Sequence, residues 1–221
     1  MKTLTKKEEG QILKNLILQN IQELSGGQWF YSVIHYGDYG DDGLLRTWND
    51  RRGLYREEHI RKNHRRIKTT LKEYWGKDIL TYFTLERHQD IQEVITTGGP
   101  IQYGDTKRNK FHTNLIVGPI SDEVLENPNS KLQRLWESPG RMGIPISQLT
   151  YNPYDLTDLK IDLLNSTIRL HPDVNNYSHS VKTQLLETSE DIWEVFDYSL
   201  KDITRKGLDF MEVLDIENSD T

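Results

Sequence analysis

The chain has 221 residues, 35% of them hydrophobic and 28% charged, with 5 Trp, 11 Tyr and 5 Phe. That length accommodates one domain with a sizeable core, and the aromatic content is too high for a fully disordered chain. A mean hydropathy of −0.72, with no apolar run near the ~20 residues of a spanning helix, argues against an integral membrane protein. The chain contains no cysteine, which removes disulfides, thiolate metal sites and thiol nucleophiles. Met1–Gly10 is charged and does not read as a secretory leader, so a cytoplasmic protein with no membrane partner is expected. The net charge is −6, but ten Lys/Arg against three Glu give Arg51–Lys77 a local +7, leaving −13 elsewhere. Glu187–Thr221 holds eleven acidic residues against three basic ones. One face is therefore expected to attract phosphates while another repels them.

Ile12, Leu13, Leu16, Ile17, Leu18, Ile21 and Leu24 recur at helical spacing until Ser25-Gly26-Gly27 ends the pattern, which predicts an N-terminal helix within residues 1–28. Trp29–Ile34 is rich in β-formers and predicts a strand, followed by a Gly/Asp loop from His35 to Gly43. A basic helix is expected from about Glu57 to Trp75, with Ile60, Ile67, Leu71 and Trp75 as its buried stripe and Gly76 as its stop. Strands are predicted at Ile79–His88 and Phe111–Val117. Ser121-Asp122-Glu123 opens a helix toward Trp136 that Asn127-Pro128-Asn129 interrupts. Four prolines (Pro139, Pro145, Pro153, Pro172) punctuate the next stretch, in which no element is clear. Ser189 starts a helix running to Lys206, with Trp193, Phe196, Leu200 and Ile203 on one stripe. Leu208–Ile216 is a short apolar appendix, and residues 217–221 read as a loose acidic tail. The order of these elements indicates a single α+β domain with a central antiparallel β-sheet flanked by helices.

Alternation puts His112, Asn114 and Ile116 on one face of their strand and Phe111, Thr113, Leu115 and Val117 on the other, core-like face. Glu86 and His88 share a face of the preceding strand. If the two strands are neighbours, a carboxylate, imidazoles and an amide oxygen converge, a donor set suited to Mn²⁺ or Mg²⁺. On the last helix, Tyr198 falls opposite the apolar stripe, with Lys201 three residues on. A lysine there favours the phenolate, which beside a divalent cation can attack phosphorus.

Leu85-Glu86-Arg87-His88, then Phe111-His112-Thr113-Asn114-Leu115-Ile116-Val117, then Tyr198-Ser199-Leu200-Lys201 resemble the ordered motifs of the HUH endonucleases, the rolling-circle replication initiators (Rep proteins) of plasmids, phages and small single-stranded DNA viruses. The resemblance implies an RNA-recognition or ferredoxin-like fold over residues 29–216. It implies a divalent metal held by Glu86 and His112, with Asn114 standing where the family has its second histidine and His88 as a further ligand candidate. It makes Tyr198 the nucleophile that would leave a 5′-phosphotyrosine and a free 3′-hydroxyl, and Lys201 its companion. Tyr151 and Tyr154 are rival nucleophiles in a proline-broken setting. Arg51, Arg52, Arg61, Lys62, Arg65, Arg66 and Lys68 are expected to bind single-stranded DNA or an origin hairpin through its backbone. With no Walker A sequence in the chain, unwinding and extension would fall to a host helicase and polymerase. Two other readings fit the same residues: a non-catalytic DNA-binding or regulatory protein on this scaffold, and a metal-dependent hydrolase that uses water without a covalent step.

Overall fold

The structure is a computed structural model that describes residues 5–23, 27–35, 38–39, 45–46, 57–87, 111–138, 156–171, 174, 181–199, 215 and 219–220. In chain order these form α1 (Lys6–Glu23), β1 (Gln28–His35), β2 (Asp38–Tyr39), β3 (Leu45–Arg46), α2 (Glu57–Trp75), β4 (Leu80–Arg87), β5 (Phe111–Ile120), α3 (Glu123–Glu126), α4 (Ser130–Glu137), α5 (Leu156–Arg169), β6 (Val181–Leu186) and α6 (Ser189–Ser199). Four strands make one antiparallel sheet in the order β4-β5-β1-β6, with helices on both faces. The α+β architecture expected from the sequence is what is observed.

Two apolar layers sandwich the sheet, and strand alternation decides which residue enters which. Phe30, Ile34, Phe83, Leu85, Leu115 and Val117 pack beneath α2, α4 and α5. The stripe foreseen on α2, Ile60, Ile67, Leu71 and Trp75, is buried there. Trp29, Tyr31, Tyr82, Ile116 and Leu186 face the other way, against Ile17 and Leu18 of α1 and Ile192 and Phe196 of α6. Gly76 ends α2 at φ +114°, a conformation that disfavours any residue with a Cβ. Asn129 caps α4 by accepting from the backbone N–H groups of Lys131 (3.0 Å) and Leu132 (2.9 Å), so the interruption expected at Asn127-Pro128-Asn129 divides α3 from α4.

Three features depart from the sequence reading. Helix α5, strand β6 and the short antiparallel pair β2–β3 add to the expected elements, the helix within the proline-punctuated stretch and β2 within the stretch read as a Gly/Asp loop. On α6 the sheet-facing residues are Ile192 and Phe196, while Trp193, expected in the buried stripe, is 40% exposed and lies under the Lys14 ammonium, 3.6 Å from its ring centroid. In the stretch read as a loose tail, Ser219 and Asp220 are bonded to β4. Asp220 N–H donates to Thr81 O (2.8 Å), Phe83 N–H to Ser219 Oγ (2.9 Å) and Thr81 N–H to Asp220 Oδ2 (2.9 Å). Upstream, Asp215 N–H donates to Phe83 O (2.9 Å).

Asp215 also anchors a buried polar chain. Its Oδ2 lies 2.7 Å from His64 Nδ1, and His64 Nε2 lies 2.6 Å from Thr113 Oγ1, with all three side chains buried. A carboxylate only accepts, so Nδ1 carries the proton and Nε2 accepts from the threonine hydroxyl. This bond accounts for a polar residue at Thr113 on the core face. Burial is the largest influence on His64 and holds its pKa below the ordinary 6.5, although Asp215 pulls the other way. The unfolded chain therefore takes up the proton first, and stability falls as the pH drops below about 6.5, being fully present above it. Denaturant titrations should show that slope flattened in His64→Gln. Asp215→Ala, which leaves a buried imidazole N–H without its acceptor, should lower the unfolding free energy by about 3 kcal/mol.

Candidate active site

The sheet register sets the site. Glu86 on β4 is paired directly with His112 on β5, and His112 is paired on its other side with His35 on β1. Thr84, Asn114 and Val33 form the next row, and Tyr82, Ile116 and Tyr31 the one beyond. All nine residues lie on the sheet face that α1 and α6 cover, as the burial of Tyr31, Tyr82 and Ile116 against those helices shows. The convergence of Glu86, His112 and Asn114 inferred from alternation is thus present.

Their contacts are polar and close. Glu86 Oε2 lies 3.1 Å from His112 Nε2 and accepts from Asn114 Nδ2 at 3.2 Å. Asn114 Oδ1 accepts from the Tyr31 hydroxyl at 2.8 Å. Burial, reinforced by the neighbouring Tyr198 and Glu86, pushes the Tyr31 phenol well above its ordinary value of 10, so Tyr31 stays protonated and serves as a donor. Neither Tyr31 nor His35 carries a site role in the sequence reading. The signal was the alternation Tyr31-Val33-His35, but the partner of β1, and hence its register, is not legible locally.

Tyr198 reaches the same carboxylate from above the sheet. Its hydroxyl lies 3.4 Å from Glu86 Oε1, and the side chain is 48% exposed. The last turn of α6 is tied to α1 by buried Lys14, whose Nζ is 2.6 Å from Asp197 Oδ1, next in sequence to the tyrosine. One carboxylate, Glu86, therefore joins an imidazole, an amide and an accessible phenol.

This donor set fits a divalent cation in part. Two ligands about 2.1 Å from an octahedral ion and at right angles stand about 3.0 Å apart, close to the separation of His112 Nε2 from Glu86 Oε2. Among the described residues no three His, Asp or Glu side chains already enclose one point. His88, Lys201, Tyr151, Tyr154, Arg51 and Arg52 lie outside the described residues.

The remaining basic candidates, Arg61, Lys62, Arg65, Arg66 and Lys68, are on α2, which packs on the opposite face of the sheet from Glu86 and Tyr198. Arg61 Nη1 lies 3.4 Å from Asp215, and Lys68 Nζ lies 2.7 Å from Asp220, while Lys62, Arg65 and Arg66 are exposed. The structure thus brings Glu86, His112, Asn114 and Tyr198 together and separates the basic helix from them. Comparison of the chain with protein-family models, with curated proteins and with solved structures found no match.

Tyr31→Phe removes the hydroxyl that orients the Asn114 amide and leaves a buried carbonyl oxygen without its donor. Urea denaturation should register a loss of about 1–2 kcal/mol with an unchanged denaturant slope.

Proposed function

We propose that this chain is a metal-assisted DNA nicking and joining enzyme of the HUH type, acting on single-stranded DNA or an origin hairpin to start rolling-circle replication. The observation that carries this reading is the 3.4 Å approach of the exposed Tyr198 hydroxyl to Glu86, the carboxylate that also contacts His112 and Asn114. A nucleophile, Tyr198, and a candidate cation ligand, Glu86, 112 residues apart in sequence, can then address one phosphate.

In this mechanism the Tyr198 hydroxyl gives up its proton, with Glu86 Oε1 placed to receive it or pass it to water. The phenolate oxygen forms a bond to phosphorus, the bond from phosphorus to the 3′-oxygen breaks, and that oxygen leaves protonated as a free hydroxyl. The DNA 5′ end is then held as an aryl phosphate ester, whose bond energy remains available for rejoining. A divalent ion held at Glu86 and His112 would offset the charge that grows on the non-bridging oxygens. Tyr31 is disfavoured as the nucleophile by its 8% exposure and its bond to Asn114. The exposed Lys62, Arg65 and Arg66 would act at longer range, raising the local concentration of a polyanion in a salt-dependent way. Lys201 keeps the companion role that the resemblance implies.

Incubation with end-labelled single-stranded oligonucleotides and Mn²⁺, followed by denaturing gels, should show a covalent protein–DNA adduct. Tyr198→Phe should lower adduct formation on the order of a thousandfold or more. An undiminished adduct in that variant would remove Tyr198 from the mechanism. Cleavage without any adduct would point to attack by water, and binding alone to a non-catalytic DNA-binding protein.

A further inference from the structure

The amide at position 114 turns its nitrogen, not its oxygen, toward the Glu86–His112 pair: Nδ2 donates to Glu86 while Oδ1 accepts from Tyr31. An amide nitrogen has no lone pair to offer a cation, and the Glu86 carboxylate, which only accepts, holds the amide in this sense while the Tyr31 hydroxyl donates to its oxygen. Asn114 thereby acts as a positioning residue for Glu86. A cation bound by Glu86 and His112 would have one carboxylate and one imidazole, a thin set for a resident ion.

The same row supplies another nitrogen donor. His35 is the direct cross-strand partner of His112, on the side opposite Glu86, and the three side chains share one sheet face. The His35 and His112 rings stand 5.4 Å apart between centroids at an interplanar angle of 34°. Two imidazoles bound about 2.1 Å from one ion, at angles between 90° and 109°, place their centroids roughly 4.5–5.2 Å apart. The observed pair lies just outside that range, and the three side chains would have to draw together to enclose one ion. On the other side of His112, the Glu86 oxygen already sits at a separation suited to a ligand pair.

We infer that His35 is a ligand for the divalent cation, so that one ion is held by His35, His112 and Glu86 from three adjacent strands, with Asn114 outside the coordination shell. This rests on the metal-assisted reading above. The second imidazole, missing from position 114 of β5, is supplied by the neighbouring strand in the same row. Two nitrogens and one carboxylate favour Mn²⁺, Co²⁺ or Zn²⁺ over Mg²⁺, which prefers oxygen ligands and retains its waters.

The test uses the full chain, with Zn²⁺ and Mn²⁺ as probes. Side-chain nitrogen NMR during a Zn²⁺ titration should show the ring signals of His35 and His112 shifting together and saturating at one equivalent. His35→Gln, checked for an unchanged amide spectrum, should weaken Mn²⁺ binding about tenfold or more, as should His112→Gln and Glu86→Gln. A shift of His112 alone, with His35→Gln binding Mn²⁺ like the wild type, would overturn the role of His35 and leave the metal-assisted reading standing. If neither ring shifts and none of the three variants alters Mn²⁺ binding, the metal-assisted reading itself fails. Should His35→Gln fail to fold, the ring shifts of the wild-type chain decide the matter.

Discussion

Double-sided pairing of β5 is the constraint on which the rest of the molecule depends. This strand is hydrogen-bonded to β4 on one side and β1 on the other, so its residues have only two directions to point. Thr113, Leu115 and Val117 are fully buried beneath α2 and its neighbours, which sends His112, Asn114 and Ile116 to the opposite face. A slip of one residue would bury an imidazole among aliphatic side chains and put leucine where the carboxylate now finds its partners. The polar row is thus held in place by the packing of the face that takes no part in it.

The phenol reaches that row through a second set of contacts. Phe196 and Ile192 seat α6 on the sheet, and the buried Lys14 draws Asp197 toward α1 while its ammonium lies over Trp193. A buried ammonium is costly without a counter-charge, so this pairing resists rotation of α6 about its own axis. With 196 and 197 committed to the sheet and to α1, residue 198 is left facing Glu86. The site therefore combines a rigid floor from the sheet with a nucleophile candidate whose placement depends on two helices.

Much of this was legible in the sequence because strands and amphipathic helices leave periodic marks. The face-sharing of His112 and Asn114, the buried stripe of α2, the Gly76 stop and the outward position of Tyr198 all follow from local spacing. Less visible were features that depend on distant partners. Helix α5 carries the fully buried Lys160, bonded to Gln28, to the Ile120 carbonyl and to Asp122, and a lysine in the core stripe breaks an apolar pattern. Trp193 looked like core because its hydrophobicity is evident locally, whereas the lysine that covers it is not. The sequence assigns His35 to the start of the Gly/Asp loop, and only the β1–β5 register reveals that it closes β1 next to His112. Alternation places Thr113 on the core face but does not reveal its partner, His64, across the sheet–helix boundary.

The contacts of Asp215, Ser219 and Asp220 along β4 bear on how this molecule meets others of its kind. An outermost strand with open N–H and carbonyl groups is a template onto which a foreign strand can add. Here the main-chain groups of Thr81 and Phe83 are occupied by this segment, and Lys68 and Lys72 both grip Asp220. Those ion pairs are partly exposed and weaken as ionic strength rises. The sheet's protection against edge-to-edge aggregation thus rests partly on electrostatics, so self-association through β4 becomes easier in concentrated salt even while both cores remain intact.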